Sequence, residues 1–288
     1  MKSPWAALSL LSLVFVTAIR ANESELRTWT NTAGQTIEAR LISVSDGKIT
    51  IQREDRNEFT VDISTFSGQD AKYVEEWLAV QSAPKPEVEA LMATTGKLIF
   101  SDAFASVGGE WKGAKGEWKA EEGALSGMEL EADDHAAVLK RAMPVKDVVV
   151  EFAVKLGDAQ NMSFSMDDAK DHVCRVMLTP AGFQAKKDDN DHEGPDVGKP
   201  FNNVATKLDT DEWHTVRVEI LGEEMVAQID EEVSMGSDPL LATEKAKWGF
   251  TVAGGPVLIK DLKVWEAVPN EGWESASKRL KRKLGIDD

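Results

Sequence analysis

The chain has 288 residues, 42% apolar and 29% charged, which is the composition of a soluble globular protein with room for two domains and not of a fibre or a disordered tail. Its formal charge of −17 repels phosphate backbones and argues against nucleic acid, or any general polyanion, as a partner. The only cysteine, Cys174, excludes an intrachain disulfide, so the fold must stand on burial alone, as is ordinary for an exported bacterial protein.

Residues 1–21 read as a secretory signal: Lys2, an apolar run from Trp5 to Val16, then the small residues Ala18 and Ala21. The apolar run is too short to span a bilayer comfortably. Cleavage removes Lys2 and Arg20 and takes the formal charge from −17 to −19. No cysteine stands at the expected cleavage site for a lipid to attach to. The expected location is periplasmic or secreted, with no stable membrane span after cleavage.

A first module is expected over 26–80. Ile37, Ala39, Leu41 and Val44 line one side of a strand, Asp46-Gly47 is a hairpin signal, and Ile49 and Ile51 alternate after it. Asp55-Arg56-Asn57 turns the chain into Phe59, Val61 and Ile63. Ser67 and Asp70 stand at capping-box spacing ahead of Tyr73, Val74, Trp77 and Leu78, whose spacing marks one face of a short helix. Arg27-Thr28-Trp29, Gly34 to Ala39, Lys48 to Ile51 and Gln69 to Val74 resemble the Sla-type homology domain. That resemblance implies a small barrel of the Src-homology-3 kind with a terminal helix, and a protein partner for the barrel.

Pro84 and Pro86 among small and charged residues make 81–96 a linker. From 97 to 267, apolar alternation with turns between predicts an antiparallel sandwich: around Trp118 and Leu125, then Ala137–Leu139, Val148–Leu156, Met162–Met166, Val173–Leu178 and Phe183–Lys186. Trp213 to Ile220, Met225 to Ile229 and Trp248 to Trp265 close it. The tail, 268–288, carries Lys278, Arg279, Lys281, Arg282 and Lys283 beside Leu280 and Leu284. It reads either as a solvated helical end or as a basic helix for an acidic partner or a lipid surface.

Gly116 to Leu125, Asp211 to Val216, and Trp248-Gly249-Phe250 with Val257 to Val264 resemble the 3-keto-disaccharide hydrolase type of concanavalin A-like jelly roll. The resemblance implies a glycan-related role. The chain departs from the family pattern at Asn161 to Asp167, where Asp167 replaces a cation, at His172 to Met177, where Arg175 takes a glutamine-like place, and at Lys260-Asp261-Leu262.

Period two places Ser163, Ser165 and Asp167 on one face of their strand and Met162, Phe164 and Met166 on the other. The neighbouring strand sorts Val173, Arg175 and Met177 from His172, Cys174 and Val176. If the polar faces align, Ser163, Ser165, Asp167 and Arg175 form a ligand surface on the concave sheet, with Asp167 paired to Arg175; an exposed, solvated sheet face is the other reading. Trp118, like Trp111, is a candidate for stacking on a sugar ring, or else part of the core.

Glycoside hydrolysis needs two carboxyl groups roughly 5 to 10 Å apart, one with a raised pKa. No Glu-x-Asp-x-Glu run appears, and Glu129-Leu-Glu131-Ala-Asp133 has the spacing in the wrong order. Asp189, Asp191 and Glu193 alternate as calcium ligands do, but the closing position falls on Pro200, which excludes an EF-hand and leaves an irregular calcium site or a solvated loop. Scattered histidines give zinc no support.

The sequence thus predicts an exported, mainly β protein that binds a saccharide or cell-surface glycan and is not catalytic. A hydrolase or lyase acting on a 3-keto-disaccharide or related glycoside through Asp167, Asp189, Asp191 or Glu193, and a protein-binding scaffold, are the alternatives.

Overall fold

A computed structural model describes residues 26–45, 47–82, 88–121, 123–194 and 197–286. The expected signal segment 1–21, Asp46 of the expected hairpin turn, and 83–87 of the expected linker lie outside the described residues. The chain divides into two compact units, Met1–Ala83 and Pro84–Asp288.

In the first unit, β1 (Arg27–Thr30), β2 (Thr36–Ser45), β3 (Lys48–Gln52) and β4 (Glu58–Asp62) pair in that order in one antiparallel sheet, followed by α1 (Gly68–Ser82). A bridge between Asn31 and Phe66 ties the chain after β4 back to the end of β1. The alternation read from the sequence decides what is inside: Ile49 and Ile51 join Trp29, Ala39, Leu41, Phe66 and Val74 in the core. The expected cap forms, with Ser67 Oγ accepting the Asp70 N–H at 3.2 Å. Asp70 reaches further than a cap. Its carboxylate accepts the Thr30 N–H at 2.8 Å and pairs with Arg27 at 2.6 Å, and the Arg27 guanidinium lies 3.7 Å from the Tyr73 ring centre.

The second unit is built from β5 (Ala93–Asp102), β6 (Trp111–Lys115), β7 (Glu117–Glu121), β8 (Ala124–Met128), β9 (Ala137–Val145), β10 (Val148–Lys155), β11 (Ala159–Asp167), β12 (His172–Thr179), β13 (Gly182–Lys187), β14 (Lys199–Ala205), β15 (His214–Leu221), β16 (Glu224–Ile229), β17 (Glu232–Ser237), β18 (Lys245–Gly254), β19 (Val257–Pro269) and the helix α2 (Trp273–Leu284). All strand pairs are antiparallel. One sheet of eight strands runs β17-β16-β15-β10-β19-β8-β7, with β5 on β19, and one of seven runs β14-β13-β12-β11-β18-β9-β6.

The two sheets stack around one core, as the mainly β reading requires. Met162, Phe164 and Met166 point inward as their parity predicts, against Phe152, Trp248 and Phe250. Trp111 also belongs to this core, and its Nε1 donates to Asp102 at 2.8 Å. Cys174 is buried there, and burial pushes its thiol up to about 12.

The outer side of the eight-stranded sheet is covered where β15, β16 and β17 lie. Met92, Val226, Val233, Met235 and Trp273 are buried together, with Ala276, Leu280 and Leu284 of α2 packed on them. Glu219, fully buried, accepts the N–H groups of Leu91, Met92 and Ala93 at 3.1, 2.6 and 2.8 Å. Arg217 binds the same carboxylate at 2.6 Å, donates to the Ala93 carbonyl at 2.8 Å and pairs with Glu151.

The sandwich therefore extends past the expected 97–267. Ala93, expected in the linker, pairs with Pro269, expected in the tail. The tail is not merely a solvated end, because its helix packs an apolar stripe on its own sheet. Among the described residues, no helix is long and apolar enough to cross a membrane.

Candidate ligand-binding face

The seven-stranded sheet turns its polar side outward, and the pairing register assembles that side from strands far apart in sequence. One rung reads Lys186, Arg175, Ser165, Gly249, Lys140 and Lys112, on β13, β12, β11, β18, β9 and β6. The rung beside it reads Asn203, Gln184, Met177, Ser163, Thr251 and Val138. Along a strand, side chains two residues apart share a face. Ser163, Ser165, Asp167 and Arg175 accordingly emerge on the same side.

Their roles differ from the expected ones. Ser163, Ser165 and Asp167 are only 3%, 1% and 2% exposed. They form a floor beneath longer side chains. Lys140 donates to Ser165 Oγ at 2.6 Å and to Asp167 Oδ1 at 3.0 Å. His172 Nδ1 lies 2.6 Å from the same carboxylate oxygen, and Lys247 Nζ stands 3.7 Å from the other. Burial alone would raise the Asp167 pKa. The hydrogen bonds from His172 and Lys140, with the Lys140 charge, outweigh it and hold the carboxyl down at about 2. Burial pushes the Lys140 ammonium below its ordinary value, against the upward pull of Asp167.

Asp167 and Arg175 do not pair with each other. Arg175 Nε donates to Asp188 Oδ2 at 2.8 Å, and Lys186 Nζ meets the other oxygen of Asp188 at 3.0 Å. The reason is the register: Arg175 sits opposite Ser165, one rung from Asp167, and Lys186 stands on its other flank. The position of His172 is also corrected. A register shift between Met166 and Asp167 brings His172, and not Val173, opposite Asp167, so His172 leaves the face that strict alternation assigns it.

Trp118 is not part of this face. It stands on β7 of the other sheet, packs against the sandwich core, and donates its Nε1 to the Lys115 carbonyl at 3.0 Å. Gly127 opposite it has no room for a Cβ because the Trp118 ring lies there, 2.3 Å from where that atom would be.

Among the described residues no group of three or more carboxylate, histidine or cysteine side chains is placed to hold a metal ion, Asp189, Asp191 and Glu193 included. Asp189 Oδ1 accepts the His192 N–H at 3.0 Å and Asp191 Oδ1 accepts the Glu193 N–H at 3.0 Å, so these carboxylates shape the turn.

The residues that sequence reasoning missed are Lys140, Lys186 and Lys247. The signal was present for two of them. Lys140 follows Ala137–Leu139 in alternation, and Lys186 alternates with the inward residues Phe183 and Ala185 of β13. Beside the cationic rung lies a shallow depression of about 300 Å³ lined by Met177, Thr179, Gln184 and Asn203 among others.

The family model described as SLA1 homology domain 1, SHD1, matches residues 18–82. A search of curated proteins finds no match. Among solved structures, the chain is similar to the carbohydrate binding module CBM66 from Bacillus subtilis, at 13% identity over 55% of this chain and 96% of that one, with a TM-score of 0.46. It is similar to a protein of unknown function with galectin-like fold from Bacillus subtilis, at 13% identity over 62% and 100% of the two chains, TM-score 0.48. It is also similar to the laminarinase from Rhodothermus marinus, at 10% identity over 60% and 98%, TM-score 0.47.

Proposed function

We propose that the protein is an exported saccharide-binding module that holds its ligand on the outer face of the seven-stranded sheet, around Arg175 and the depression beside it, without cleaving it. The observation that carries the reading is the rung of donors Lys186, Arg175 and Lys140 alongside the amides Gln184 and Asn203, which give and accept hydrogen bonds as sugar hydroxyls do. A shallow, largely apolar depression next to it, edged by Thr179, Gln184 and Asn203, supplies the concavity that small-molecule sites need.

Catalysis fits poorly. A glycosidase keeps one carboxyl group protonated at working pH by raising its pKa. Asp167, the carboxylate at the centre of this face, is held at about 2 and is locked to Lys140 and His172. Asp188 is bound by two cations.

A thermal-shift screen of the full chain against neutral and acidic oligosaccharides tests the reading. At least one saccharide should stabilise the sandwich, by about 2.7 kcal/mol at a concentration 100 times its Kd. Gln184→Ala should weaken the shift, and chromatography should show no new reducing ends. Melting that no saccharide moves, or accumulation of shorter sugars, defeats the proposal. Fractionation of cells carrying the gene checks export: retention in the cytoplasm removes that part.

A further inference from the structure

The chain is strongly acidic, at −17, yet the outer face of the seven-stranded sheet is locally basic. Lys112, Lys140, Arg175 and Lys186 share one rung, and Lys247 joins from the next, 3.7 Å from Asp167. Two carboxylates lie among these cations, Asp167 and Asp188, and both are nearly buried, at 2% and 5% exposed. The carboxylates at the nearby turn are otherwise engaged: Asp168 Oδ1 accepts from the Lys170 and Asp171 backbones and from Asn190, and Asp171 Oδ2 meets His192 at 2.8 Å.

The cations are not saturated by these partners. Among the described residues, Arg175 is bonded to Asp188 only through Nε, so its two terminal nitrogens remain for a further acceptor, and planar guanidinium geometry suits a carboxylate. Lys186, whose side chain is 22% exposed, flanks the same point. The two rungs hold no aromatic side chain, so ring stacking, the usual way to grip a neutral sugar, is missing on them. Met177 and Gln184 lie two residues along the strands from Arg175 and Lys186, about 7 Å away, and both line the depression.

We propose that the ligand of this face is an acidic saccharide, a uronate oligosaccharide whose carboxylate sits over Arg175 and Lys186 while its ring lies in the depression lined by Met177, Gln184 and Asn203. The inference rests on the saccharide-binding reading above and narrows it to one chemical class.

Calorimetric titration of the full chain tests it, with trisaccharides of galacturonate, mannuronate, guluronate and glucuronate-containing type, their neutral counterparts, and hexaglutamate as an anion that is not a sugar. One uronate should bind about tenfold or more tighter than its neutral counterpart, the weight of one charged hydrogen bond. Arg175→Gln and Lys186→Gln should each weaken it about tenfold, and each leaves Asp188 one cation, so the fold should survive. Lys247→Gln, at an exposed position, is the variant to use if either fails to fold; its expected loss is about threefold. Neutral sugars binding as tightly as uronates would overturn the acidic preference and leave saccharide binding standing. Hexaglutamate binding as tightly would overturn the sugar part. Binding of none would overturn both readings.

Discussion

Lys140 reaches over a whole strand to its partners. It starts on β9, and Ser165 and Asp167 are on β11, with β18 between them; the residue it crosses is Gly249. A Cβ there would lie 2.1 Å from the Leu139 carbonyl oxygen and 2.9 Å from Lys140 Cα, so only glycine lets the β9 backbone, and Lys140 with it, come this close. The pair it reaches has a testable pH signature. The folded pKa of Asp167 lies below its unfolded value of 3.8, at about 2, so the ionised group contributes about 2 kcal/mol of stability, fully present above roughly pH 5 and lost as pH falls toward 2. Asp167→Asn should therefore be less stable than the parent at neutral pH, and the gap in urea melts should close by about 2 kcal/mol between about pH 6 and pH 2. A gap that stays constant over that range would place the stabilisation elsewhere. Parity alone put Ser163, Ser165, Asp167 and Arg175 on one face. It could not show that three of them are floor and one is surface, because the side chains that cover the floor come from Lys140 and Lys247, brought in by β9 and β18, and because a bulge moves His172 across.

At the scale of elements, the last helix contributes what its basic residues conceal. Trp273, Ala276, Leu280 and Leu284 fall on one side, and Trp273 is 9% exposed. Trp273→Ala should cost about 3 kcal/mol and raise hydrogen exchange on β16 and β17 before it affects the strands around Phe164. Equal exposure of both sheets would instead mean that the helix supports the whole sandwich. The central strands were legible because burial imposes clean alternation on them, as in Val148–Leu156. The strands that were missed, β6, β14 and β17, all lie at sheet ends. Their sequences carry Gly113, Pro200 and Gly236, which interrupt the alternation by which a strand is read, and the proline removes a ladder donor that an edge can spare. The docking of α2 was illegible for another reason: Leu280 and Leu284 were visible, but the Met92, Val226 and Met235 surface that receives them comes from three other segments.

For the whole molecule, charge sets how the proposed acidic saccharide would arrive. A net −17 repels an anionic sugar at long range, while the basic face attracts it only at close quarters. The Debye length falls from about 30 Å at 0.01 M to about 8 Å at 0.15 M salt, which screens the body before it weakens contacts on the face. Stopped-flow association of the uronate with the full chain should accelerate about twofold between those concentrations. A slowing would mean that the local field already dominates at a distance. The two-module, mainly β organisation was readable from period and turn signals alone, since each module buries its own core. The sign of the proposed ligand face was not, because composition reports the sum of charges and the register decides where they meet.

Glu219 has one further consequence. By gripping three successive backbone amides it seals Leu91 to Ala93 over the strands at the rear, with the terminal helix alongside. That leaves the module with a front and a back. A copy bound through the proposed saccharide face would therefore carry its lysine- and arginine-rich helix on the opposite side of the sandwich.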